Sequence, residues 1–411
     1  MKVLIVNSSD INGGAARAAY RLHQALLKSG VDSQMLVDAK LSDDYSVIGQ
    51  GSKVIRGIRG MLDNLPIGAY KGRSPTYFSS NLVPFSGLVK RINALNPDIV
   101  HLHWVNKAML SIYDISRIKA PVVWSLHDMW AFTGGCHYDE NCAGYKQRCG
   151  NCKVLASIKE NDLSRRTHNR KAKVFENIES LTVIALSQWM AKCAKESLLF
   201  SNKRVVCLPN PIDTTAFSPF DKLQARELLN LPLNKKLILF GAIEAFSDPR
   251  KGFKELNEAL SLLEQEDVEL VVFGSSQPEE AQGFRYKTHY LGHLHDEVSL
   301  RVLYSAADVM VIPSIQENLS NTIMESLACG TPVVGFDVGG NSDMIEHMHS
   351  GYLAKKYDTT ELANGVQWVL NAPNYEELSK NSRNKVMREF DSTVVSKRYI
   401  ELYASVLNKE N

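Results

Sequence analysis

Short apolar runs alternate with stretches of helical period along both halves of this chain, the pattern of parallel strands joined by crossover helices. In the first half Val3–Val6, Gln34–Val37, Ile99–Leu102, Val122–Leu126, Val183–Leu186 and Val205–Leu208 read as strands. Most are continuously apolar rather than alternating, as strands covered on both faces are. Between the first two, Ala15, Ala19, Leu22 and Leu26 form a helical stripe that Gly30 ends. The pattern restarts after Leu208-Pro-Asn-Pro-Ile-Asp213, where Pro209 and Pro211 break any helix and stiffen a crossing between domains. Leu237–Phe240, Leu270–Phe273, Val309–Ile312 and Val333–Phe336 are the strands of the second half. From about Ser392 to Asn411, Val395, Tyr399, Leu402, Tyr403 and Leu407 recur at helical spacing. The expectation is an α/β chain of two doubly wound domains, 1–210 and 211–391, followed by a terminal helix over 392–411.

Chemistry concentrates where one strand of the second half turns into a helix. Ala307-Asp-Val-Met-Val-Ile-Pro313 reads as a buried parallel strand, and after Ser320 the residues Ile323, Leu327 and Ala328 share one helical face. Glu317 and Glu325, eight positions apart, straddle that turn. Asn318, Ser320 or Asn321 can cap the helix, whose N–H groups and positive dipole end attract a phosphate. One carboxylate just outside the helix and another one to two turns inside are placed to accept hydrogen bonds from hydroxyls on either side of that phosphate. A nucleotide sugar has this layout of ribose, diphosphate and sugar.

Set in Val311-Ile-Pro-Ser314 and Glu325-Ser-Leu-Ala-Cys-Gly-Thr-Pro-Val-Val334, the two glutamates resemble the donor-site signature of family 4 glycosyltransferases, retaining enzymes of the GT-B fold. The resemblance covers nearly the whole chain, strongest from Arg285 to Ala354 and weakest from Asp38 to Ser86. It implies two Rossmann-like domains facing across a cleft, with the C-terminal helix returning to the N-terminal domain and substrate held between the domains. The link Pro209-Asn-Pro-Ile-Asp213 resembles the family's P-N-G-V-D, with Pro211 at the glycine position. Glu317, Lys251 and His127 are the catalytic residues so implied. Lys251 and Arg250, in Asp248-Pro-Arg-Lys-Gly-Phe253, would meet the donor diphosphate, where a fixed cation stabilises the charge growing on the leaving group. An Arg250 that simply faces water is the other reading. The family's Gly-Arg after the preceding strand is here Gly241-Ala242. Glu325, Asn318, Leu319 and Ser320 would complete the donor site, and Gly13-Gly14 would bring backbone close to acceptor and donor sugar. His127, at the end of its strand, would donate a hydrogen bond to a sugar hydroxyl and not act as a general base. His101 and His103 receive no role. Tyr290-Leu-Gly-His-Leu294 sits where the family holds the nucleobase, making His293 a candidate contact. Gly339-Gly340 could offer backbone amides to phosphate or sugar, or could be a turn that needs positive φ.

Composition agrees with a two-domain globular enzyme, since 411 residues exceed one ordinary core and an apolar fraction of 44% is usual. Lys and Arg number 47 against 45 Asp and Glu, so a net charge of +2 gives no global pull toward nucleic acid. Lys2-Val-Leu-Ile-Val6 is too short for a signal-peptide core and no apolar run approaches a membrane span, which makes the cytoplasm the expected compartment. Cys136, Cys142, Cys149 and Cys152 crowd one loop, 136–152, and with one true Cys-x2-Cys pair suggest a structural zinc. Four reduced cysteines packed as small hydrophobes are the alternative.

In the segment 53–65, Val54, Ile58, Met61, Leu62 and Leu65 share a helical face with Lys53, Arg56 and Arg59 opposite. Such a helix either covers the core or rests on the inner face of the plasma membrane. The expectation is a retaining glycosyltransferase that needs no cofactor for catalysis. It would move a hexosyl or related sugar from a nucleoside diphosphate to a glycan or lipid-linked glycan in cell-surface polysaccharide or lipopolysaccharide synthesis, with no nucleic-acid partner. Two alternatives stay open. A nucleotide-sugar epimerase of the same fold would act on donor without acceptor, and a zinc-containing nucleic-acid-binding module would be built on the cysteine loop.

Overall fold

In the computed structural model, which describes residues 1–49, 52–84, 87–178, 180–241, 248–274 and 284–408, the strands lie in two wholly parallel sheets. Met1–Pro211 together with Val395–Asn411 make one unit, and Ile212–Val394 the other. The paired call Gly241-Ala242 falls partly outside the described residues, because Ala242 is not among them.

Unit 1 holds seven strands: β1 Lys2–Ser9, β2 Asp32–Ala39, β3 Val47–Gly49, β4 Ile99–Leu102, β5 Val122–Leu126, β6 Leu181–Ala185 and β7 Arg204–Cys207. Their order is β3-β2-β1-β4-β5-β6-β7, so the winding reverses between β1 and β4. In a parallel α/β sheet that reversal opens a crevice at the carboxyl ends, where loops diverge to opposite faces. The helix Gly14–Lys28 buries Ala16, Ala18, Ala19, Leu22, Ala25 and Leu26, while Ala15 is only half-buried. Gly30, at φ +78°, follows its last turn. The terminal helix Ser392–Leu407 belongs to unit 1 from Val395 onward and buries Val395, Tyr399, Leu402, Tyr403 and Val406, leaving Leu407 half-buried. Each fully buried apolar side chain contributes about 1.5–3 kcal/mol, enough for this stripe to hold the helix. Tyr403 also hydrogen-bonds His101 Nδ1 of β4 at 2.7 Å.

Unit 2 holds six strands: β8 Lys236–Gly241, β9 Val268–Phe273, β10 Thr288–Tyr290, β11 Val309–Ile312, β12 Val333–Phe336 and β13 Gly351–Ala354. The order β10-β9-β8-β11-β12-β13 places its reversal between β8 and β11. The entry and exit of this unit are tied to each other: Ile212 N donates to Phe390 O at 2.9 Å and Ser392 N to Ile212 O at 2.8 Å. At the amino end of the sheet, Asp308 accepts from Arg226 Nη2 at 2.7 Å, Lys222 Nζ at 2.9 Å and the Leu237 amide at 2.7 Å. Burial alone would raise this carboxyl, but those partners outweigh it and hold it below the usual range.

Candidate active site

In unit 2 the loops after β8, β11 and β12 interlock through two glycines. Asp248 caps a single 3-10 turn, Pro249–Lys251, and Gly252 ends it at φ +71°. A Cβ at Gly252 would lie 1.8 Å from Pro313 O, so only glycine lets this turn rest against the end of β11. The Ile315 amide donates to Arg250 O at 2.9 Å and pins the same contact. On the other side Gly339, at φ +56°, approaches Glu317 so closely that a Cβ would sit 1.6 Å from Glu317 O. Gly340 N donates to that carbonyl at 3.3 Å. The Gly339-Gly340 pair therefore supports the backbone of Glu317, and the Gly340 amide is turned to that task rather than to a ligand. With both flanks fixed, Lys251 Nζ lies 3.2 Å from Glu317 Oε2, and both side chains keep some exposure to solvent.

Arg250 stands in the same turn as Lys251. Its Nε and Nη2 grip Asp248 at 3.1 and 2.6 Å, so that face of the guanidinium fork already holds a carboxylate in place of a phosphate. Asn318, Leu319 and Ser320 are buried at the start of the helix Asn321–Ala328. Ser320 occupies the cap position but makes no side-chain cap bond; its hydroxyl pairs with Thr322 Oγ1 at 2.8 Å. Glu325 is buried inside the helix and accepts from Tyr304 OH at 2.8 Å. His293 follows β10 and stacks parallel to His295 with centroids 5.9 Å apart.

In unit 1 the side chains at the ends of β4 and β5 form a neutral chain of rings. His127 Nε2 meets His103 Nδ1 at 2.8 Å, and the His103 ring lies over that of His101 with centroids 4.3 Å apart. His101 joins Ser125 Oγ at 2.8 Å and, through its other nitrogen, Tyr403. Burial opposes a charge on any of them: it lowers His127 to about 4 and His101 to about 3, and pushes His103 well below its usual value. At neutral pH one ring of the His103–His127 bond therefore donates and the other accepts. A ring that protonates only near pH 4 is a poor general base, and the geometry suits a fixed hydrogen-bonding partner.

Asp128, next in sequence, is the counterpart that stays charged. Burial raises its carboxyl, but His137, the Trp130 amide and the Trp104 indole more than offset this and hold it low. His137 Nδ1 lies 2.5 Å and Trp104 Nε1 2.9 Å from Asp128 Oδ2. His137, from the cysteine loop, thereby anchors that loop to the end of β5, a role unread in the sequence although His137 follows Cys136 directly.

Gly13 and Gly14 open onto a cavity of about 620 Å³, whose wall includes Arg56, Tyr77, Trp104 and Lys107. Gly13, at φ +94°, has nothing within 4 Å of where a Cβ would stand. Asp10 shapes the rim by accepting from the Ile11, Leu41 and Ser42 amides at 2.8–3.0 Å.

The four cysteines do not fit a zinc ion as they are placed: among the described residues no three His, Cys, Asp or Glu side chains are gathered closely enough to hold a metal. Cys136 and Cys152 instead pack in a small cluster with Ile67, Phe78, Val154, Leu155 and Leu163. Cys136, Cys149 and Cys152 are buried and Cys142 is exposed. Burial raises all four thiols, with Cys149 pushed up to about 12, so that in the absence of a metal they stand protonated.

Residues 12–216 match the family described as Glycosyltransferase Family 4, and residues 234–372 match the one described as Glycosyl transferases group 1. Over 192 residues the chain is 29% identical to an uncharacterized glycosyltransferase of Methanocaldococcus jannaschii, a match spanning 44% of this chain and 48% of that protein. Over 349 residues it is 26% identical to a D-inositol 3-phosphate glycosyltransferase of Stackebrandtia nassauensis, covering 79% and 73% of the two chains. Its fold is similar to that of Anabaena HepE, solved in complex with UDP and glucose, with a TM-score of 0.68 and 17% identity over 98% of this chain and 100% of that one.

Proposed function

Because the chain belongs to glycosyltransferase family 4 and has the GT-B fold, we propose that it moves a sugar from a nucleoside diphosphate to a glycan acceptor with retention of configuration. The observation that carries this reading is the Lys251–Glu317 pair, 3.2 Å apart and held at the reversal of the unit 2 sheet by Gly252 and Gly339. Lys251 offers a partly exposed cation to a diphosphate, and Glu317 accepts from a sugar hydroxyl. In the transfer, the bond from the anomeric carbon to the diphosphate oxygen breaks as the acceptor oxygen bonds to the same face. The acceptor proton passes to the departing phosphate oxygen, and Lys251 stabilises the charge that grows there. Glu325, steadied by Tyr304, is assigned to the ribose, and His127 to a hydroxyl of the transferred sugar. The acceptor belongs, on this reading, to a surface polysaccharide or lipopolysaccharide.

The test combines binding and product analysis. Thermal-shift screening of UDP, GDP and their sugars should show one base that stabilises the fold by mass action. NMR of the product should show the donor's anomeric configuration kept, and transfer should persist in chelator, since Lys251 supplies the positive charge. Inversion would overturn the stereochemical assignment, and a strict magnesium requirement would overturn the role of Lys251.

A further inference from the structure

The helix Lys53–Gly68 is turned inside out. An ordinary surface helix buries its apolar stripe, yet among its residues only Asp63 and Ile67 are buried. Val54, Ile55, Ile58, Met61, Leu62 and Leu65 are 68%, 59%, 50%, 59%, 43% and 63% exposed. The reading in which this stripe covers the core therefore fails. Polar contacts hold the helix instead. Asp63 accepts from Ser80 Oγ at 2.8 Å and from the Asn81 and Leu82 amides at 3.1 and 2.8 Å. Arg59 donates to the carbonyls of Val83, Pro84 and Ala108 at 2.9–3.1 Å.

The inner face of the same helix forms a wall of the cavity beside Gly13, through Arg56, Gly57, Gly60, Asp63 and Asn64. Gly57 and Gly60 meet nothing within 4 Å where a Cβ would stand. No packing demands glycine there, and each lowers helix stability by roughly 0.5–1 kcal/mol relative to alanine. They keep the cavity open. Across from them Trp104, oriented by its bond to Asp128, and Tyr77 set two rings with centroids 6.2 Å apart, a platform of the kind on which sugar rings stack.

The outer surface of the helix selects its occupant by charge. Lys53 is exposed on it, Lys71 and Arg73 are exposed just beyond its end, and the single acid of 53–73, Asp63, is buried. Apolar side chains ringed by cations match an anionic lipid leaflet. No helix among the described residues is long and apolar enough to cross a membrane, so contact would be interfacial. We propose that Lys53–Gly68 lies in the surface of an anionic bilayer and that the cavity behind it receives the polar headgroup of a membrane amphiphile, which is the acceptor. This deepens the glycosyltransferase reading and rests on it. One helix then places the enzyme on the membrane with one face and frames the headgroup with the other.

Vesicles of phosphatidylglycerol and phosphatidylethanolamine should sediment the protein, and vesicles of phosphatidylcholine alone should do so weakly. Ile58→Glu with Met61→Glu should reduce sedimentation by about tenfold or more while the thermal shift with UDP or GDP is kept. Membranes of the source organism, supplied with radiolabelled nucleotide sugars, should yield label in the organic extract. The double variant should lose that label on intact membranes and regain it when the membranes are dissolved in detergent. Gly60→Leu, which removes a helix-weakening glycine but fills the cavity, should lose it in both. The proposal is overturned by absent sedimentation, by equal sedimentation of the double variant, by label confined to water-soluble product, or by a solution dimer that Ile58→Glu dissociates. Loss of nucleotide binding by the wild type would instead overturn the glycosyltransferase reading and leave vesicle binding as a separate result.

Discussion

The two sheets solve different electrostatic problems with opposite means. At the ends of β4 and β5, unit 1 sets buried His101 and His103 and half-buried His127 in an uncharged chain that ends on Tyr403. Beyond β8 and β11, unit 2 sets a partly exposed Lys251 against Glu317. A neutral, desolvated chain fixes orientation cheaply because no ion has to be buried, but it cannot balance a diphosphate. A charged pair near solvent can, since each ion keeps some hydration until a ligand replaces its partner. Precision of geometry thus falls to unit 1, and compensation of charge to unit 2.

The strongest way to break this contrast is to remove the charges. Lys251→Ala and Glu317→Ala should each lower transfer by about tenfold to a hundredfold, given that hydrogen bonds to charged groups are worth about 1.5–3 kcal/mol, and melting curves should stay near wild type. Steady-state kinetics beside a thermal melt checks this; near-normal turnover in either variant would remove the pair from the mechanism.

Acid should separate the two units next. His23, His101, His103, His127 and His168, all in unit 1, have folded-state values depressed by burial from an ordinary 6.5. The unfolded chain therefore binds their protons first, so the stability they contribute is full above pH 6.5 and is lost as pH falls toward 4. Each can add up to about 1.4 kcal/mol per pH unit in that window. Asp308 and Glu389 of unit 2, lowered from 3.8 and 4.5, retain their contribution until pH falls below those values. Hydrogen exchange across a pH series should show unit 1 opening before these carboxylates titrate, and simultaneous loss of both units near pH 3 would contradict the assignment.

Smaller effects sharpen the comparison. His127→Ala should cost about tenfold in kcat with nucleotide affinity unchanged, because the ring is assigned to the transferred sugar and not to the nucleotide. His103→Phe, which removes the partner of His127 Nε2, should produce a weaker version of the same defect. Tyr304→Phe deletes one neutral donor to Glu325 and should weaken nucleoside diphosphate binding only several-fold, at about 1 kcal/mol, measurable by calorimetry.

Periodicity made most of the fold legible. Ten strands fall on the apolar runs, whereas β3, β10 and β13 escaped because they are short edge strands carrying polar residues or glycine, with one flank needing no apolar cover. The strand-to-helix turn that carries Glu317 and Glu325 was visible in local spacing. What joins distant loops was not. Gly339 reads locally as a turn, and only three dimensions show it against Glu317 O. His101 gave no local hint of Tyr403, which is 302 positions away. The sequence states the charge of Arg250 but not that Asp248, two residues earlier, grips it. The cysteine spacing suggests a metal knuckle, while the fold packs Cys136 and Cys152 into a satellite apolar cluster and leaves Cys142 exposed.

The return of the last helix to unit 1 sets an order on biosynthesis. Residues up to Pro211 leave the ribosome without Val395–Asn411, so His101 and the strands around it wait with one flank bare while the whole of Ile212–Val394 is translated. Domains ordinarily finish folding from the amino end as they emerge. Here the second unit is complete first, and the first can close only after Tyr399 and Tyr403 have been added. A stop codon after Val394 would spare every residue of unit 2 and leave the nascent amino-terminal unit permanently unfinished, a ready client for chaperones and proteases.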